Sequence, residues 1–123
     1  MNEELAKRAV ACKHWRWMPG MLDAVFGRVV AVYEDEIVFA DCRVAAFAKV
    51  QPDSPDVDDH ATIGCLLALV REAWGRRVTF ECGPDGEDAY IRIVPPHDER
   101  AFGPKFRGST IAAALVAALE DAP

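Results

Sequence analysis

The chain has 123 residues, 51% of them hydrophobic and 28% charged, the composition of a globular protein long enough to bury one core. Its 20 acidic residues outweigh 14 basic ones, for a formal net charge of −6; this opposes binding to duplex nucleic acid, whose affinity comes mainly from neutralised phosphates. No apolar run approaches the roughly 20 residues of a membrane span, and the opening MNEELAKRAVAC is too charged for a secretory signal.

These features set the expectation of a single cytoplasmic domain over residues 1–123. Four cysteines, Cys12, Cys42, Cys65 and Cys82, form no CxxC pair, which argues against a zinc ribbon or a thioredoxin-like motif. Cys65 and Cys82 read as small buried hydrophobes within a helix and a strand.

In chain order, residues 3–13 read as a short helix, with Leu5, Ala9 and Cys12 at i, i+4 and i+7. KHWRWMPGM, residues 13–21, follows. Pro19 forbids simple helix continuation, because the residue before a proline is pushed toward extended geometry. In an extended chain Trp15 and Trp17 share one face.

GRVVAVYEDEIVFADCRV, residues 27–44, reads as two strands around a turn at Glu34-Asp35-Glu36, with a third strand over 43–50. QPDSPDVDD, residues 51–59, is a loop. Asp58 or Asp59 then offers a carboxylate to the free N–H groups of a helix starting near residue 60. Ile63, Leu66, Leu67, Val70 and Trp74 mark its buried face, and Gly75 its left-handed end.

RVTFECGPDGEDAYIRIV, residues 77–94, is a hairpin turning at Gly83-Pro84-Asp85-Gly86, with Val78, Phe80 and Cys82 on one side. PPHDERAFGPKFRG, residues 95–108, reads as a loop before a last helix from Ser109 to Glu120. The order α-β-β(-β)-α-β-β-α implies an α+β fold with a mostly antiparallel sheet of four to five strands and three helices.

Three segments together, ACKHWRWMPGM (11–21), DVDDHATIGCLLALVREAWG (56–75) and ALVAALEDAP (114–123), resemble a widespread group of small accessory proteins encoded in bacteriophages and prophages. The resemblance implies a phage context and action by binding, to a host protein or to a small signalling molecule of host defence. It implies no particular chemistry, and the strands over 76–107 lie outside it.

Two stretches carry candidate binding chemistry. Around Trp15, Arg16, Trp17 and Met18, indole faces suit a planar base and Arg16 or His14 suits a phosphate; the other reading packs both tryptophans between the first helix and the sheet. In FGPKFRGST, residues 102–110, Lys105, Phe106 and Arg107 alternate basic and aromatic character before a helix N-terminus, where Ser109 and Thr110 could meet an anion. Gly103 and Gly108 have P-loop spacing, but Ser109 stands where the essential lysine belongs, so nucleotide hydrolysis of that type is rejected. The other reading of this stretch is a solvated loop.

His14, His60 and His97 fall in none of the common metal-binding spacings, and no nucleophile elbow is present. Neither a catalytic set, a metal site nor a cofactor is therefore assigned. The acidic run Asp53 to Asp59 reads as a solvated loop and helix cap, or as a mimic of a phosphate backbone.

The expectation is a non-enzymatic accessory protein, with a counter-defence role, that sequesters a small phosphorylated or nucleotide-like ligand as a homo-oligomer. Trp15, Arg16, Trp17, Lys105, Phe106, Arg107, Ser109 and Thr110 would form the site. The alternative is a module that inhibits a host protein through an exposed aromatic or acidic surface.

Overall fold

The computed structural model describes residues 3–34, 36–40, 44–46, 52–75, 79–94 and 103–123. Its elements are α1 (Glu3–Ala11), β1 (Leu22–Asp23), β2 (Gly27–Val32), β3 (Glu36–Phe39), β4 (Val44–Ala46), α2 (His60–Trp74), β5 (Thr79–Asp85), β6 (Asp88–Val94), β7 (Lys105–Gly108) and α3 (Ile111–Glu120). All strand pairings are antiparallel, in two sheets ordered β1-β2-β3-β4 and β5-β6-β7. The protein is α+β, as its pattern of hydrophobic periods indicates. The chain divides into two compact units, the first comprising 1–11 and 15–65, the second 12–14 and 66–123.

In the first unit α1 buries Leu5, Ala6 and Ala9. The following stretch, through Met18, has no regular structure. Met21, Val29, Ile37, Phe39 and Val57 are buried, and Phe26 stacks on Phe39 with ring centroids 5.1 Å apart. One residue of β2, Val30, is extra in the ladder, since Val29 pairs with Phe39 and Ala31 with the adjacent Val38. This bulge resets the inward–outward alternation: Val29 is buried while Val30 faces outward.

Asp23 organises this unit although its carboxylate is only 1% exposed. It accepts the N–H groups of Val25 (2.9 Å), Phe26 (2.8 Å) and Ser54 (3.1 Å), so the buried charge is hydrogen-bonded on both oxygens. Through it the β1–β2 turn is tied to the loop before α2, and Asp23 also bridges Pro55.

Asp59 caps α2. Its Oδ2 accepts from the Thr62 N–H and hydroxyl, each at 3.0 Å, while Thr62 Oγ1 accepts the Leu22 N–H at 2.9 Å. Thr62 is fully buried. The buried face of α2 accordingly runs through Thr62, Leu66, Leu69 and Val70, with Ile63, Leu67 and Trp74 half-buried, a rotation from the purely apolar stripe of the sequence.

In the second unit α3 lies on β6 and β7. It buries Ala112, Ala114, Leu115, Val116, Ala118 and Leu119, most of its circumference. Thr110, rather than Ser109, is its N-cap: the backbone is extended there and the hydroxyl accepts the Ala113 N–H at 3.1 Å. Trp74 donates its indole N–H to the Ala118 carbonyl at 2.9 Å. His14 lies with this unit, its Nε2 2.8 Å from the Pro123 carbonyl oxygen.

The structure differs from the sequence reading at three further places. The β5–β6 turn is at Gly86-Glu87, because Asp85 still pairs with Asp88 and Gly86 takes the left-handed conformation, φ 67°. Residues 105–108, read as loop, form β7 along β6. Cys82 is exposed on the edge strand β5 rather than buried, and Cys65 is half-buried. The third strand of the first sheet is described only over Val44–Ala46; the remainder of 43–50, with Cys42, His97 and Phe102, lies outside the described residues.

Candidate functional site

Pro19-Gly20 ends the Trp-rich stretch in a turn. Gly20 is left-handed, φ 101°, and its N–H donates to the Val29 carbonyl at 2.9 Å. Arg28 fixes the same turn from β2, donating to the Gly20 carbonyl at 2.8 Å. Arg28 also pairs with both oxygens of Asp59, Nη2 lying 3.0 Å from Oδ1. That guanidinium holds the Asp59 carboxyl down at about 2. The Cys65 Sγ lies 3.6 Å from the Pro19 carbonyl, and burial pushes its thiol pKa up.

Residues 15–18, before this turn, have no regular secondary structure. Trp17 is 7% exposed and donates its indole N–H to the Pro52 carbonyl at 3.1 Å. Trp15 meets it edge-on, centroids 5.4 Å apart and planes at 85°, a favourable aromatic geometry. The two indoles therefore differ in role: Trp17 is anchored, whereas the buried Nε1 of Trp15 has no hydrogen-bond partner among the described residues.

Trp15, Arg16 and Trp17 line a cavity of about 410 Å³ together with Val10, Val32, Tyr33, Glu34 and Pro52. Arg16 and Glu34 are exposed, so one charge of each sign is present, and Tyr33 is 57% exposed. The tight turn from β2 to β3, closed by the Tyr33 N–H on the Glu36 carbonyl at 2.8 Å, places Tyr33 and Glu34 beside the tryptophans. The volume is within the range of small-ligand pockets. Tyr33, Glu34, Val10, Val32 and Pro52 were not singled out from sequence; only the Tyr-Glu pair beside a turn hinted at an exposed aromatic.

The FGPKFRGST stretch lies in the second unit. Lys105 and Arg107 point to one side of β7, where Asp85 Oδ2 meets Lys105 Nζ at 3.1 Å and Arg107 Nε at 2.8 Å. Lys105 Nζ also lies 4.7 Å from the Tyr90 ring centroid, and Lys105 holds the Asp85 carboxyl below its usual pKa. Phe106 turns the other way, 5.9 Å from Trp74.

At the start of α3, Thr110 supplies both its hydroxyl and its carbonyl to the first turn, accepting from Ala113 and Ala114 at 3.1 Å each. Gly108 lies so close that an added Cβ would stand 2.5 Å from the Ala113 Cβ and 2.7 Å from the Ala114 nitrogen. Ser109 is exposed. Lys105, Arg107 and Thr110, read as parts of an anion cradle, thus bond within their own sheet and helix, and the eight predicted site residues fall on two units.

A second cavity of the first unit, about 460 Å³, runs along α1 and is lined mainly by Ala6, Val10, Ala11, Ala24 and Val25, with Glu3, Lys7 and Asp53 among its polar residues. Val25 is 66% exposed. Among the described residues no three His, Cys, Asp or Glu side chains are grouped to hold a metal ion, and no helix is long and apolar enough to cross a membrane. Compared with known proteins, the chain matches no family model, no curated protein and no solved structure.

Proposed function

We propose that the protein is a non-enzymatic binding protein that takes up and sequesters a small nucleotide-like ligand in the Trp15 cleft of its first unit. The observation that carries this reading is the cavity of about 410 Å³, large enough for such a ligand, whose lining brings Trp15, Arg16 and the exposed Tyr33 together. Trp17 forms a fixed floor rather than a stacking face. Tyr33 offers the accessible ring, and Arg16 the positive charge for a phosphate.

Lys105, Phe106, Arg107, Ser109 and Thr110 are left out of this site because none of them lines the cavity. A phage-encoded counter-defence role in the host cytoplasm is part of the proposal and rests on the resemblance of residues 11–21, 56–75 and 114–123. Native mass spectrometry with a panel of nucleoside mono- and triphosphates tests it. Stoichiometric retention that disappears in Trp15→Ala supports the reading; no retention by the folded protein refutes it. The same spectra show whether copies associate, as a pocket shared in a homo-oligomer would require.

One observation favours the second reading, inhibition of a host protein. Val25 stands exposed beside the apolar cavity along α1, a surface suited to a partner's apolar side chains. That reading predicts a 1:1 complex weakened by Val25→Asp and unaffected by Trp15→Ala.

A further inference from the structure

We infer that two copies of the chain pair through the free edge of β5, antiparallel and centred on Cys82, joining their three-stranded sheets edge to edge. Among the described residues β5 pairs only with β6, and the register shows which way its backbone points. Ile93 turns away from β5, donating its N–H to the Pro104 carbonyl at 3.0 Å. Its partner Phe80, and at period two Cys82 and Pro84, therefore turn their backbone polar groups away from β6. Phe80 and Cys82 also lie opposite the buried Ile93 and Ile91, on the core face of the sheet. There α3 packs on β6 and β7, while Cys82 and Pro84 are exposed. Such an edge is a template for another strand. The inference is independent of the nucleotide-binding reading, because β5 belongs to the second unit and the Trp15 cleft to the first.

The sequence of β5 fits a second copy as that strand. Cys82 is the midpoint of the seven residues Thr79–Asp85, so a two-fold axis there pairs the whole strand. Cys82 then meets Cys82 of the second copy, Phe80 meets Pro84, Glu81 meets Gly83 and Thr79 meets Asp85. No acid opposes an acid. The N–H groups of Phe80 and Cys82 donate to the Pro84 and Cys82 carbonyls of the second copy, and Pro84 has no N–H to leave unpaired. An axis at Glu81 sets Glu81 against its own copy, and an axis at Gly83 sets Glu81 against Asp85. Both neighbouring registers thus oppose like charges, which is destabilising.

Sedimentation velocity of the full chain in reducing buffer, from micromolar to millimolar concentration, tests this. The wild type is expected to pass from monomer to dimer. Cys82→Lys sets two ammonium groups against each other at the axis and is expected to stay monomeric; Cys82 is exposed, and circular dichroism checks that each variant keeps the fold. Gly83 reads the register, since a Cβ there meets the Tyr90 ring in ordinary contact, at 3.6 Å. Gly83→Lys, opposite Glu81 of the second copy, is expected to tighten the dimer about threefold or more, and Gly83→Glu to weaken it as much. A wild type that is monomeric throughout, which would leave the edge to a segment of another protein, overturns the inference. So does a dimer that survives Cys82→Lys, or an equal shift for the two Gly83 variants.

Discussion

Trp15 and Trp17 meet edge to face at 5.4 Å, yet only Trp17 has its indole N–H bonded, to the Pro52 carbonyl. Two residues with the same side chain, two positions apart, are thus held for different ends. One locks a loop to the tryptophan stretch, and the other lines a cavity while its indole nitrogen stays buried without a partner among the described residues.

That difference is measurable in the absence of any ligand. Trp→Phe removes the same volume at both sites, but at Trp17 it also strands the Pro52 carbonyl, whereas at Trp15 it deletes a donor that is already unpaired. Trp17→Phe is expected to cost at least about 1 kcal/mol more than Trp15→Phe, a gap of roughly 4 °C in Tm for a chain of this length. Equal losses in thermal denaturation would show that the Pro52 bond contributes nothing.

The Arg28–Asp59 pair makes stability depend on acid pH. Arg28 lowers the Asp59 pKa from 3.8 to about 2, so the folded state binds this proton less readily than the unfolded chain. The stabilisation is fully present above about pH 4 and is lost as pH falls toward about 2. Because Arg28 is partly exposed, solvent screens the pair, and its contribution is on the order of 1–2 kcal/mol. Urea denaturation between pH 2 and 5 should show the wild type losing that increment relative to Asp59→Asn. A constant difference across the range would contradict the assignment.

Gly108 and Gly64 should respond to alanine with opposite signs. At Gly108 the new Cβ meets Ala113 and the Ala114 backbone below 3.0 Å, and backbone cannot yield as a flexible side chain does; about 2–3 kcal/mol of destabilisation is expected. At Gly64, inside α2, nothing lies within 4 Å, and alanine should add about 0.5–1 kcal/mol. Chemical denaturation of the two variants checks both signs.

Lys105 and Arg107 share Asp85 on their own sheet. Lys105→Gln is therefore expected to change nucleotide affinity less than about twofold, while Arg16→Gln lowers it several-fold, as read by titration calorimetry. A loss with Lys105→Gln equal to that with Arg16→Gln would restore the β7 residues to the site.

The helices and most strands were legible because their apolar periods are strong: Ile91 and Ile93 alternate into the core, and Leu115 and Leu119 recur at helical spacing. β7 was missed although Lys105-Phe106-Arg107 alternates with period two, because Gly103-Pro104 precedes and Gly108 ends a four-residue strand whose character comes from pairing with β6. The phase of α2 was misjudged at Thr62, a polar residue buried because its hydroxyl bonds both Leu22 and Asp59. Within the site, Trp15 and Arg16 were visible as an unusual local cluster. Tyr33 and Glu34 were not, since only the β2–β3 turn brings them to the tryptophans. Asp23 was hidden for the same reason: its partners Val25 and Phe26 are local, but Ser54, which completes its shell, is 31 positions away.

The most direct test of the account is an indole spectrum of the protein labelled with ¹⁵N at its three tryptophans, recorded before and after saturation with GMP. The indoles of Trp17 and Trp74 already donate to Pro52 and Ala118 and should hold their positions, while the Trp15 signal shifts as nucleotide fills the cleft that Trp15 lines. A Trp15 signal that stays in place at saturating nucleotide, with the protein folded, would contradict the cleft as the binding site.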